Sequence, residues 1–373
     1  MAVEDAQAAG FQDVTLVGAD TASSAETINS AFDGLLVQSA DGIIGPSSSA
    51  LTTMILPQIA ESQTVVVSPS ATSVTLTDAD DGGFFFRTPP TDLYWGRVFS
   101  DRVIADGGKK TAIVYRNDVF GSSLATVASD DLQANGVEVV DWIRLDPDPS
   151  VTSFSDQVEQ LLAAEADSFI LIAFDREGTV FLREYFETAE ARESPSLDAY
   201  ITEGFTEPPW EPLPADGVSA LPGINSIKGA APSQASKART DFEERYRQYT
   251  SSEEFSCPKS MSEEICEFTR EPIAYTPAAY DAAIIIMLAS LQADSNEAAV
   301  FASEINDVTR GGTKCSSYEE CAQLILDGTD IDYEGISGPL DFTNAGEPDR
   351  GTYQLWSLND LGQMQSEGQL TLS

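Results

Sequence analysis

The sequence predicts an α/β protein made of two doubly wound parallel sheets. Three observations carry this. Short apolar runs such as "VVV", "AIVY" and "FILI" show no polar alternation, the pattern of parallel strands covered on both faces. Between them lie helical stretches, several closed by glycine. The alternation runs through two successive series, over residues 1–108 and 111–228, so each builds its own sheet.

Taken in order, "VTLVGA" (14–19) reads as a strand, followed by a helix over 23–38 with a Ser-x-x-Glu start. "DGIIG" (41–45) is a strand, 48–62 a helix and "TVVVS" (64–68) a strand. "FFFRTPP" (84–90) ends a further strand, and the helix over 92–108 stops at paired glycines. The second series opens with "TAIVYRND" (111–118), then a helix (123–136) and the strand "VEVVDWIRL" (137–145). A helix (155–166), the strand "SFILIAF" (168–174), a helix (178–191) and the strands "AYITEGF" (199–205) and "GINSIKGAAP" (223–232) complete it. Helices then dominate, over 236–249, 276–293 and 298–309. The end returns to β structure in "SGPLDFT" (337–343) and "YQLWSL" (353–358). A second series followed by helices and then strands implies that the chain crosses between two lobes, near 107–109, 228–231 and 336–338.

The chain has 373 residues, 42% of them hydrophobic, enough for two real cores. With 61 acidic and 20 basic residues its formal charge is −41. Nucleic acid is excluded as a partner, because phosphates need Lys and Arg, and an anionic lipid surface is disfavoured. The acidic shell keeps the chain soluble, and its scarcity of lysine is in keeping with a salty environment. No apolar run approaches the ~18 residues of a membrane span. Histidine is absent, which removes the commonest general base and metal ligand together. There is no Walker A loop and no G-x-G-x-x-G. An enzyme working by paired carboxylates would need a geometry that abundance alone does not supply. No catalytic residue, metal site or cofactor is expected.

The four cysteines fall into two local groups, Cys257 with Cys266 and Cys315 with Cys321. Four cysteines allow three connectivities, and a zinc site would need all four sulfurs. The spacings are wider than zinc knuckles use. Two local disulfides, Cys257–Cys266 and Cys315–Cys321, are the better reading, and imply an oxidising compartment. Both segments read as polar and exposed.

Two small-hydroxyl turns, "GPSSSA" and "SPSATS", follow successive strands at matching places. Ligands of α/β sheets bind at the carboxyl ends of strands. There Ser and Thr hydroxyls, with the N–H groups of a helix start, can hold a carboxylate. Ser47, Ser48, Ser70 and Thr72 are the candidates, and helix capping is their alternative role.

Several segments in order carry a resemblance: "DGIIGPSSSALTTMILPQIAES", "VVVSPSAT", "FFFRTPPTD", "KKTAIVYRNDVFGSSLATVASDDLQANGVEVV", "DSFILIAFDREGTVFLREYFE" and "GPLDFTNAGEPDRGTYQLWSL". The chain resembles, over nearly its whole length, the type I periplasmic substrate-binding proteins of ABC transporters, in particular the leucine/isoleucine/valine group. That resemblance implies two Rossmann-like lobes joined by a three-crossover hinge and closing on a ligand. Lobe 1 would be residues 1–108 with 230–336, and lobe 2 residues 109–229 with 337–373. The start, "MAVEDAQAAG", matches the end of the family's first helix, so the first, central strand of lobe 1 is expected to be missing from this sequence.

Carried over residue by residue, the resemblance places a ligand carboxylate on Ser47, Ser70 and Thr72. Glu203 takes the ammonium, and Phe120 and Phe174 line the pocket where the leucine-binding pattern has tyrosines. Core packing is the alternative role of Phe120, and a solvated loop position that of Glu203. Asp118 and Arg176 lie on the same loops, and Trp95 reads as core or rim. The implied function is capture of a small amino acid or related amide and delivery to an ABC permease. The alternative is a ligand-sensing regulatory or receptor protein of the same fold. A monomer outside the cytoplasm, periplasmic or at the cell surface, is expected, its signal sequence lying outside this chain.

Overall fold

The computed structural model describes residues 1–11, 13–202, 223–233, 236–252, 255 and 275–373. Glu203, Cys257 and Cys266 lie outside them. The chain divides into two compact units. The first comprises Met1–Pro90, Ser233–Gly351 and Ser373, and the second Thr91–Pro232 with Thr352–Leu372.

The first unit opens with α1 (Ala2–Ala8), α2 (Ile28–Val37), β1 (Gly42–Ile44), α3 (Ser49–Ser62), β2 (Val65–Ser68) and β3 (Phe85–Arg87). The second holds α4 (Asp92–Ala105), β4 (Lys110–Arg116), α5 (Val119–Ala134), β5 (Glu138–Leu145), α6 (Ser155–Ala163) and β6 (Ser168–Ile172). It continues with α7 (Asp175–Ala191), β7 (Asp198–Ile201) and β8 (Ile227–Pro232). The chain returns to the first unit with α8 (Lys237–Thr250), α9 (Thr276–Gln292), α10 (Ala298–Phe301) and α11 (Glu304–Asp307). There follow β9 (Thr313–Cys315), α12 (Tyr318–Leu326) and β10 (Ile331–Tyr333). It ends in the second unit with β11 (Gly351–Leu358) and β12 (Met364–Leu372).

The second unit contains a seven-stranded sheet in the order β12-β11-β8-β7-β6-β4-β5. Its parallel part, read from β5, is the 2-1-3-4-5 order of a doubly wound sheet, with the switch point between β4 and β6. Alternation along the strands divides the core in two. Ala112, Val114, Phe169 and Leu171 meet the buried faces of α6 and α7, through Val158, Leu161, Phe181 and Tyr185. Ile113, Ile170 and Ile172 meet α4 and α5, through Trp95, Val98, Phe99 and Leu124. β11 adds antiparallel to β8 with Trp356 opposite Gly229. A Cβ at Gly229 would lie 2.1 Å from the Trp356 ring, so only glycine lets the indole cross that strand.

The first unit holds a parallel sheet ordered β1-β2-β3 and a two-stranded parallel pair of β10 and β9. Val65, Val66 and Val67 of β2 are fully buried, and α9 packs over them with Ile284, Ile285 and Leu288. The pattern of burial on both sides, read from sequence, is what this central strand requires.

Four sequence-based readings need correction. Residues 14–19 form no strand, and Leu16 is 77% exposed. Strand propensity needs a ladder partner, and among the described residues the outer edge of β1 has none. Residues 337–343 contribute only an isolated bridge between Phe342 and Pro348. Asp281 instead fixes part of this loop, accepting hydrogen bonds from the Ile336 and Ser337 N–H groups at 3.1 and 2.8 Å. The boundaries between units fall at 90/91, 232/233 and 351/352; the second lies close to the expected 229/230, whereas the first and third differ from 108/109 and 336/337. In particular α4 belongs to the second unit because Trp95, Val98 and Phe99 are part of that unit's core. Finally, the Cys315–Cys321 disulfide forms, with Cα atoms 5.4 Å apart, but both sulfurs' residues are buried in the first unit's core rather than exposed.

Candidate functional site

The first unit's candidate site lies at the carboxyl ends of β1 and β2. The chain leaves β1 through Gly45 and Pro46 and enters α3 at Ser48, whose backbone is extended (φ −118°, ψ 131°). The first intrahelical bond runs from the Thr52 N–H to the Ser48 carbonyl at 2.9 Å. The N–H groups of Ser49, Ala50 and Leu51 therefore have no acceptor within the helix. The Ser48 hydroxyl caps none of them, and the first turn carries no acidic residue. A helix start in this state favours an anion.

The turn after β2 is laced to this helix start. Ser70 Oγ donates to the Ser47 carbonyl at 2.7 Å, and Ser68 Oγ to the Pro46 carbonyl at 2.6 Å. The Ala71 N–H donates back to Ser68 Oγ at 3.0 Å, and the Ser73 N–H to Ser49 Oγ at 3.2 Å. Ser47, Ser48, Ser70 and Thr72 are thus brought to one place. Their environments differ: Ser47 is exposed, Ser48 and Ser70 half-buried, and Thr72 only 2% exposed. Ser70 uses its proton on Ser47, so its hydroxyl serves the turn.

The second unit's candidates lie at its switch point. Phe120 is in the first turn of α5, and Phe174 is the residue before α7. Their rings stack at 5.3 Å with 11° between planes. Phe120 is 6% exposed, so it is core as well as wall, while Phe174 is 39% exposed. Arg116, at the end of β4, places its guanidinium carbon 4.5 Å from the Phe174 ring centroid, a cation–π arrangement. The same guanidinium donates to Asp118 and to Glu177, each at 2.5 Å. Glu177, buried, also accepts from the Phe174 N–H at 3.0 Å. Burial alone would lower the Arg116 pKa, but the Asp118 hydrogen bond and the charges of Glu177 and Asp118 outweigh it and leave it raised. Asp118 further caps α5 by accepting from the Gly121 N–H at 2.9 Å. A Cβ at Gly121 would lie 1.9 Å from the Arg116 carbonyl oxygen, so glycine is required there.

Arg176 is engaged by backbone carbonyls. It donates to the Val151 and Pro147 carbonyls at 3.1 and 2.8 Å, anchoring the loop before α6. Trp95 is fully buried. Arg116 and Glu177 were missed in the sequence. The signal available was Glu177 three residues after Phe174, a spacing that lets a glutamate reach back to the residue before a helix.

The family described as "Receptor family ligand binding region" matches residues 1–360, and the chain belongs to it. Its fold is the α/β type I periplasmic binding protein fold, and the family binds ligands rather than catalysing reactions. The chain is 25% identical over 97% of its length to the chemotactic signal transduction system substrate-binding protein BasB of Halobacterium salinarum, covering 81% of that protein. Among solved structures it is similar to the leucine-binding protein LivK of Thermotoga maritima, with TM-score 0.70, 16% identity, and 99% and 93% of the two chains covered. It is also similar to a solute-binding protein of an ABC transporter from R. palustris in complex with 4-hydroxybenzoate. There the TM-score is 0.71 and the identity 15%, with 93% and 83% covered. Among the described residues no helix is long and apolar enough to cross a membrane.

Proposed function

We propose that this chain is an extracytoplasmic solute receptor for a small carboxylate with an apolar body, an amino acid first. The observation that carries this reading is the helix start of α3. Its three N–H groups lack intrahelical acceptors, its first turn lacks an acid, and two hydroxyl turns are laced around it. The carboxylate is held there by Ser48, Thr72 and the backbone. Phe120 and Phe174 offer the apolar surface. An ammonium, where the ligand has one, is assigned to Glu203. Leucine and 4-hydroxybenzoate, bound by structural relatives as their names state, share only the carboxylate and an apolar body.

Once loaded, the receptor presents its ligand to a membrane partner. Delivery to an ABC permease is the reading from sequence. Sensing is favoured by one specific observation: the relative matched over 97% of the chain is a chemotactic substrate-binding protein. Calorimetry with leucine, isoleucine, glutamate and 4-hydroxybenzoate tests capture. Ligand-dependent association with a permease or with a chemotaxis transducer ectodomain separates the two fates. Absence of binding to every carboxylate would refute the reading.

A further inference from the structure

Beneath the Ser70–Thr72 turn lies a buried cation that no ligand reading calls for. Arg87, at the end of β3, is 1% exposed. Its guanidinium donates to the Ala71 carbonyl at 3.1 Å, the Ser73 carbonyl at 2.7 Å and Thr77 Oγ1 at 2.8 Å. Its Nε donates to Glu347 at 2.9 Å, and a second guanidinium nitrogen pairs with the same carboxylate. The Arg87 N–H also donates to the Gly346 carbonyl at 2.9 Å. Thr77 Oγ1 donates in turn to Glu347 at 3.2 Å. A buried ion pair of this kind is seldom worth more than an apolar pair of the same volume, so stability alone is a weak reason for it. What the guanidinium offers is shape: a planar fork of donors able to meet two carbonyls, a hydroxyl and a carboxylate at once.

We infer that Arg87, held by Glu347, is a positioning residue that aims the Thr72 backbone N–H at the ligand carboxylate. The geometry follows from peptide planarity. In a trans peptide the C=O and the following N–H point in opposite directions, and the only cis bond among the described residues is Gly45–Pro46. Drawing the Ala71 carbonyl down onto Arg87 therefore turns the Thr72 N–H away from Arg87. That N–H has no acceptor among the described residues. The same argument turns the Val74 N–H outward from the Ser73 carbonyl. Through Glu347 and Gly346 the turn is also tied to the segment that leads out of the unit at Gly351, so its geometry depends on residues distant in sequence.

This inference rests on the carboxylate reading above, and the experiment separates the two. Amide hydrogen exchange is followed in the ligand-free protein, in Arg87→Lys and in Glu347→Gln, with leucine and 4-hydroxybenzoate affinities measured in parallel. In Arg87→Lys, which keeps the charge but not the fork, exchange at Ala71 and Ser73, whose N–H groups donate to Ser68 Oγ and Ser49 Oγ, is expected to rise about tenfold or more. Val66 and Val67 of β2 should be unchanged, and any carboxylate affinity should fall about tenfold. Glu347→Gln, the gentler variant, should loosen 343–347 together with the turn. Unchanged exchange at the turn in both variants, or a rise shared equally with β2, would overturn the positioning role. So would carboxylate affinity that survives a loosened turn. Locally raised exchange with no carboxylate affinity in the wild type would strike at the ligand reading instead.

Discussion

Thr72 and Phe174 put the ligand reading to the test at single positions. Thr72 is nearly fully buried in the turn after β2, yet its hydroxyl serves no turn bond as those of Ser68 and Ser70 do. Thr72→Ala is expected to weaken a carboxylate ligand by about tenfold or more, the worth of one hydrogen bond to a charged group, with little change in melting temperature. Phe174→Ala removes the exposed ring of a stacked pair and should cost affinity for apolar ligands, whereas Phe174→Tyr should largely keep it. Isothermal titration of both variants checks this. The serine and threonine candidates were legible because hydroxyl runs directly after apolar strands are a local signal. Arg87 was not, because Glu347 lies 260 positions away and only the fold brings the two together. The Arg116–Glu177 pair was hidden for the same reason, the two lying 61 positions apart.

At the scale of elements, β1 makes a test of its own. The Gly45 N–H donates to the Val67 carbonyl at 3.0 Å. Parallel alternation then turns the Ile44 N–H to the opposite edge, where no strand lies among the described residues. Ile44 should exchange its amide proton much faster than Val66, which donates to the Phe84 carbonyl at 2.8 Å. Equal protection would show a further strand on that edge. Strands buried on both faces were readable because continuous apolar runs have few other uses. Residues 14–19 carry the same composition without a ladder, which composition cannot reveal. β12, largely exposed, lacks the apolar run and becomes a strand only through its place beside β11. The disulfide's position was local information. Its burial was not, since that depends on α9 and α12 packing around it.

For the whole molecule, the two-unit organisation was legible from the repeated β–α series, but the first and third boundaries were not. α4 reads equally well as the end of one series or the start of the next, and its apolar face decides for the second unit. In that unit Asp106, just after α4, accepts from Lys228 Nζ and from the Tyr200 hydroxyl, each at 2.8 Å. Burial works to raise the Asp106 pKa, but these hydrogen bonds and the Lys228 charge outweigh it and leave it lowered. A carboxylate with a folded pKa below its unfolded value stabilises the fold above the unfolded value and loses that stabilisation as pH falls through the folded one. The wild type should therefore lose melting temperature below about pH 4 more steeply than Asp106→Asn. Parallel acid titration curves for the two would contradict this.

The central claim is that the first unit's hydroxyl turns and the α3 helix start bind a carboxylate. It is tested most directly by thermal shift with matched acids and amides: leucine against leucinamide, isoleucine against isoleucinamide, and 4-hydroxybenzoate against 4-hydroxybenzamide. A ligand that binds only the folded state raises its stability by RT ln(1 + [L]/Kd). At least one acid should raise the melting temperature while its amide, lacking the charge, leaves it unchanged. An amide that stabilises as strongly as its parent acid, or a panel in which no acid stabilises, would contradict the account.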